Sequence, residues 1–188
     1  MPIVSALAIA LTLQNTVTPA VKEARALAKA AEAYADKNPK AKKMYMLLGD
    51  KKWVVMRKDD DHLKDEMWRE DVSVVAFTWA RNGKVSYVSY TGGSPSGDWT
   101  VQKFDTYRPD GTLAHSSYHF GAFMFSGRSL DEEIVYDSKG KKIFTKVDLT
   151  DLKGKKITSA EERGQMFESR PDMKDYLRTS QLPFRLAK

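Results

Sequence analysis

The stretch 72–92, VSVVAFTWARNGKVSYVSYTG, decides the fold. Two runs rich in valine, threonine and aromatics, 72–80 and 84–90, flank Asn82-Gly83. Asn-Gly between β-rich runs is a strong hairpin signal, because both central residues of the tight turn need positive φ. The pattern continues outward. Glycines at 83, 97, 111, 127, 140 and 154 sit among turn-forming residues, with successive gaps of 14, 14, 16, 13 and 14. Further β-rich runs lie between them at 99–107, 112–125, 132–136, 141–149 and 155–158. A period of this length holds one strand and its turn and is too short for a crossover helix, so neighbouring strands run antiparallel. The expected class is mainly β (α+β): an up-and-down meander of about seven strands, forming a barrel or curved half-barrel. Residues 52–57 offer an eighth strand.

Two smaller patterns recur. Aromatic-x-x-x-glycine appears at Trp79/Gly83, Tyr107/Gly111 and Tyr136/Gly140, and Lys-Gly-Lys-Lys-Ile occupies both 139–143 and 153–157. Repeated hairpin geometry accounts for them, with internal duplication as the alternative.

On either side of the meander the periodicity becomes helical. Residues 21–36 are rich in alanine, which has the lowest intrinsic helix cost. Lys22, Arg25, Lys29 and Glu32 form a polar side, while Ala24, Leu27, Ala28 and Ala31 make a narrow apolar stripe. Asn38-Pro39 ends this helix, since proline disfavours helical geometry in the residue before it. In the tail, Ser159 followed by Glu162 has the spacing of a capping box, Pro171 interrupts, and 172–178 could form another turn or two. These helices are expected to pack on the sheet. Together they either cover one side and leave a cavity on the other, or complete a filled core.

Composition sets outer limits. The 188 residues fit one domain, and 41% hydrophobic with 30% charged residues is ordinary for a globular chain. Net charge is +6, but 31 basic residues are interleaved with 25 acidic ones, which argues against a nucleic-acid footprint. The absence of cysteine excludes disulfides and thiolate chemistry. No charged side chain precedes Lys22, residues 3–13 have the length and apolarity of a signal-peptide core, and Thr18-Pro19-Ala20 ends on a small residue. The positive segment usual ahead of such a core is missing apart from the α-amino group. The reading is a signal peptide over 1–20, a single domain over 21–188 and a secreted or periplasmic location. Nothing later in the chain is long and apolar enough for a transmembrane helix.

The candidate ligand-binding residues are the aromatics Trp79, Tyr87, Trp99, Tyr107 and Tyr118 together with His115 and His119. Rings bury large areas and suit an apolar pocket or a partner surface. His115 and His119 share one face of their strand, yet four residues at the rise of a strand put them about 13 Å apart. A zinc site would therefore need a bulge, plus His62 and its neighbours Asp59, Asp60 and Asp61 folded over the strand. No metal or other cofactor is expected. Asp131-Glu132-Glu133 alternate in facing and so do not form a catalytic pair. The strand pattern resembles lipocalin-like barrels and the half-barrel lipoprotein carriers of the bacterial periplasm. Gly97-Asp98-Trp99 spells the glycine-x-tryptophan of lipocalins, but it lies mid-meander rather than in the first strand, and no family is assigned. The functional expectation is an exported, non-catalytic domain that binds a small apolar ligand, lipid or protein partner. The alternatives are a histidine-dependent enzyme, with or without a metal, and an envelope structural protein.

Overall fold

In the computed structural model, residues 16–48, 52–56, 72–94, 96–123 and 127–186 are described. They contain helix α1 (Pro19–Lys37), strands β1 (Lys43–Leu48), β2 (Trp53–Met56), β3 (Val72–Arg81), β4 (Lys84–Gly93), β5 (Trp99–Tyr107), β6 (Leu113–Ala122), β7 (Arg128–Tyr136) and β8 (Lys142–Asp151), and helix α2 (Ala160–Ser169). The strands form one antiparallel sheet in the order β2-β1-β3-β4-β5-β6-β7-β8. From β3 onward each strand is followed by its spatial neighbour, as the glycine spacing requires.

Three details differ from expectation. The sheet is open, with β2 and β8 as its edges, so the closed-barrel alternative does not hold. Cover on both faces removes the interior a barrel would enclose. The methionine-containing strand β1, absent from the expected strands, lies inside the sheet between β2 and β3. Residues 155–158 make a single bridge, Thr150 to Lys156, rather than a strand.

Local chemistry explains the hairpins. Asn82 and Gly83 have φ of 52° and 75°, the pair of positive values that a tight primed turn needs. Register shifts fall at Trp79/Ala80, Thr106/Tyr107 and Val135/Tyr136, so each aromatic-x-x-x-glycine pattern marks a bulge at the mouth of a hairpin. The Lys-Gly-Lys-Lys-Ile repeats are also turn chemistry. Asp137 Oδ1 accepts from the backbone N–H groups of Lys139 and Lys141, and Asp151 Oδ1 accepts from those of Lys153 and Lys155, all at 2.9 Å.

Register also assigns the two faces. The row Trp79–Tyr87–Thr106–His115–Val135–Phe144 points one way, and the row Val101–Phe120–Leu130–Leu149 points the other. Helix α1 lies on the first, the helix face. It starts at Pro19 behind Thr18, whose hydroxyl accepts from the N–H of Val21, and packs Val21 and Ala24 against Ala114, Val135 and Phe144. Ala31 and Ala35 press on Trp79 and Tyr87 further along. On the opposite face, α2 seats Met166 among Val101, Phe120, Leu130 and Leu149. The two helices therefore cover opposite faces, which overturns the arrangement with both on one side. The chain then crosses this second face as a strap, 170–178, without helix or strand where another helical turn had been expected. Its far end is pinned by buried Leu182 and Phe184, with Phe184 stacked on Tyr45 at 4.5 Å. No described helix is long and apolar enough to cross a membrane.

Candidate functional site

On the helix face, α1 covers only part of the sheet, and a cleft of about 410 Å³ with charged residues in its lining opens beside it. Its floor is built from cross-strand rows. Phe104, Ser117, Glu133 and Lys146 are successive partners across β5 to β8, and His119, Asp131 and Asp148 form the neighbouring row. Asp131 directly opposite Asp148 would be a repulsive pair alone. Lys146 and Lys156 both bind Asp148, the latter at 3.2 Å, and hold its carboxyl below the usual range.

Each histidine has a carboxylate partner on the next strand. His119 Nδ1 lies 2.7 Å from Asp131 Oδ1, and His115 Nε2 lies 3.1 Å from Glu133 Oε1. Arg25 reaches down from α1 and grips both oxygens of Glu133 at 2.7 Å, a bidentate fork that ties the helix to the rim of the cleft. Its hydrogen bonds, with that from His115, hold the Glu133 carboxyl below its ordinary value despite partial burial. Asp131 is the open member, with its side chain 56% exposed and one oxygen turned from His119. Among the described residues no hydrogen bond joins Ser117 to either ring, and no group of three metal-ligating side chains converges. His62 and Asp59, Asp60 and Asp61 lie outside the described residues.

The sequence-derived set is divided by the sheet. His115 and His119 line the cleft. Trp79 and Tyr87 share that face but are buried beneath α1, with Trp79 Nε1 donating to the Asn38 carbonyl and the two rings 5.6 Å apart. Trp99, Tyr107 and Tyr118 serve the other face. Trp99 packs on Phe120, while the Tyr107 and Tyr118 hydroxyls donate to the Tyr176 and Pro171 carbonyls of the strap. No family model matches the chain, and no curated protein or solved structure matches it either.

Sequence reasoning missed a second cluster, under the strap. Lys103 and Asp105 are 2% and 0% exposed, and Lys103 Nζ lies 2.8 Å from Asp105 Oδ2 and 3.0 Å from Asp175 Oδ1. Burial pushes the Asp105 carboxyl above its ordinary value. Burial would also lower Lys103, but the charges of Asp105 and Asp175 outweigh it and raise the ammonium. Among the described residues, Asp105 Oδ1 and the Tyr90 hydroxyl have no hydrogen-bond partner. A cavity of about 190 Å³ adjoins the cluster, lined in part by Lys103, Ser116, Lys142, Arg170 and Asp175. The available signal was Lys103-x-Asp105, whose period places both charges on the apolar side shared by Val101 and Tyr107.

Proposed function

We propose that the chain is an exported, non-catalytic binding module, an open half-barrel of antiparallel strands whose helix-face cleft takes a small cationic ligand. The observation that carries this reading is the cleft's lining. Asp131, Glu133 and Asp148 contribute three carboxylates beside the single lysine Lys146, while Glu132 turns to the other face, where Arg170 holds it at 2.8 Å. Arg25 pairs with Glu133, and Lys146 and Lys156 share Asp148, which leaves Asp131 as the cleft carboxylate with no lysine or arginine partner among the described residues. Phe104 also lines the cleft and supplies an apolar surface for the body of an amine, so the lining suits a ligand that joins a cationic head to an apolar body. Titration with tryptamine and agmatine as probes, followed by calorimetry, tests the reading. The expected result is saturable binding weakened about tenfold by Asp131→Asn, as loss of one charge-assisted contact implies. Equal binding by the variant, or none by the native chain, overturns it.

One observation favours a second reading, a hydrolase using His119 as general base. With Nδ1 donating across its 2.7 Å contact to Asp131, Nε2 of this cleft-lining ring would be left as the base. Ester hydrolysis abolished by His119→Gln would support it; activity surviving that change would exclude it. Export rests on residues 1–20. N-terminal sequencing of protein from its natural host should find a chain beginning near residue 21, and an intact Met1 would refute export.

A further inference from the structure

Under the strap, donors from four consecutive strands converge on one carboxylate. Lys103 of β5 lies 3.0 Å from Asp175 Oδ1, and Ser116 of β6 donates to the same oxygen at 3.4 Å. The Tyr136 hydroxyl of β7 donates to Oδ2, and Lys142 of β8 stands 4.0 Å from that oxygen. The carboxylate they surround does not belong to the sheet. It arrives on the strap, none of whose residues from 170 to 178 is fully buried. Asp105 matches only one of the two sheet cations, Lys103 and Lys142, so the sheet keeps one positive charge in excess at this point and Asp175 answers it. The adjoining cavity of about 190 Å³ is below the size of drug-like pockets and large enough for a molecule of a few heavy atoms.

We infer that Lys103, Ser116, Tyr136 and Lys142 form a carboxylate-binding site, that Asp175 is its built-in occupant, and that a small organic acid takes its place when the strap lifts. Both oxygens of Asp175 are held as a free carboxylate would be, with Lys103 on one and Tyr136 on the other. Backbone pairing of the strap to the sheet begins only at Leu177 and Arg178. Its middle is held by single contacts, Tyr118 to the Pro171 carbonyl, Lys103 to that of Lys174 and Tyr107 to that of Tyr176, with the Arg170–Glu132 ion pair and partly buried Met173 beside them. Such contacts break one at a time, unlike a strand ladder. The strap's ends stay anchored through Met166 and Phe184 while its middle opens. Burial alone would raise the Asp175 carboxyl. The Lys103 charge and the Tyr136 hydroxyl outweigh it and hold the group below its ordinary value, as a site made for an anion does.

The test is chemical rescue of the full chain carrying Asp175→Gly. Acetate and propionate, titrated at constant ionic strength and pH 7, should raise its Tm saturably, whereas chloride should not. Adding Tyr136→Phe removes one charge-assisted donor with little change in shape, and should weaken half-saturation about tenfold. Acetate behaving like chloride, or rescue indifferent to Tyr136→Phe, overturns the proposal. If Asp175→Gly does not fold, the native chain gives the same decision. Acetate competing with Asp175 should accelerate tryptic cleavage after Lys174 relative to chloride, and identical rates overturn the proposal.

Discussion

The two faces of the sheet are covered in physically different ways. Over the helix face lies a segment of high intrinsic helicity whose small side chains, Ala24, Ala31 and Ala35, are at most 5% exposed and let its backbone approach the strands closely. Over the strap face lies a segment without helix or strand between 170 and 178, held by tyrosine hydroxyls, a lysine, an ion pair to buried charges and the partly buried Met173, Tyr176 and Leu177. The first cover is specified mainly by what is local and apolar, the second by what is distant and polar. Low-stability openings concentrate where apolar contacts are few, so the strap should be the first region to exchange its amide protons and α1 a later one. A strap protected as well as α1 would remove this distinction.

The largest break should come from the charges beneath the strap. Lys103→Met leaves Asp105 at 0% exposure without its cation, and stranding one member of a buried pair costs about 3–5 kcal/mol. Urea unfolding should register that loss, and the double change Lys103→Met with Asp105→Leu should recover most of it. A double variant as unstable as the single one would mean that packing, not the lone charge, sets the cost. On the helix face the corresponding fault is steric. Ala31→Leu forces three extra carbons between α1 and the Trp79–Tyr87 pair, an overpacking worth about 1–3 kcal/mol in the same assay.

The same division explains what could be read from the sequence. The six turn glycines all have positive φ, and the meander they punctuate is the one observed, because hairpin turns are specified by two to four adjacent residues. Helix α1 and the Ser159 cap of α2 were legible for the same reason. Strand β1 was not, since Lys43–Leu48 lies outside the regular glycine spacing, although Gly49-Asp50 follows it, and its methionines suit any apolar setting. The site was legible only in part. His115 and His119 do line a cleft, but their partners Glu133 and Asp131 depend on the register of β7, which no local pattern announces. The convergence of Lys103, Tyr136 and Asp175 joins residues more than seventy positions apart in the chain and depends on the strap's path. Aromatic enrichment pointed to one pocket, whereas alternation along the strands sends Tyr87 and Tyr107 to opposite faces.

Acid should separate the faces by sign. Glu133 is held below its ordinary value of 4.5, chiefly by Arg25, so its contribution is present above that pH and fades as pH falls through the folded value. Asp175 behaves likewise from 3.8 downward. Asp105 has the opposite sign. Its raised carboxyl binds a proton more readily when folded, so acidification from that raised value toward 3.8 favours the native state. The strap face therefore contains opposing terms, while on the helix face Glu133 and Asp148 are both lowered and share one sign. Stability measured from pH 6 to pH 3 should fall for the native chain and fall less steeply for Glu133→Gln. An unchanged slope would place the acid sensitivity elsewhere.

The smallest expected effects lie at the helix caps, where the covers can be compared on equal chemistry. Thr18 and Ser159 each accept one backbone N–H at 3.4 Å, so Thr18→Ala and Ser159→Ala should each cost about 1 kcal/mol or less. The consequences should spread differently. Fraying the start of α1 loosens Val21 at 0% exposure and, one turn on, the Arg25–Glu133 fork, so exchange protection should fall at the cleft as well as in the helix. Fraying α2 leaves Met166, its one buried residue, in place, and the loss should remain in the first turn. A chain beginning at residue 21 lacks Thr18 altogether and should match Thr18→Ala in both magnitude and pattern. If that shortened chain is instead as stable as one beginning at residue 16, the cap contributes nothing, and packing of the alanine stripe alone holds the helix face.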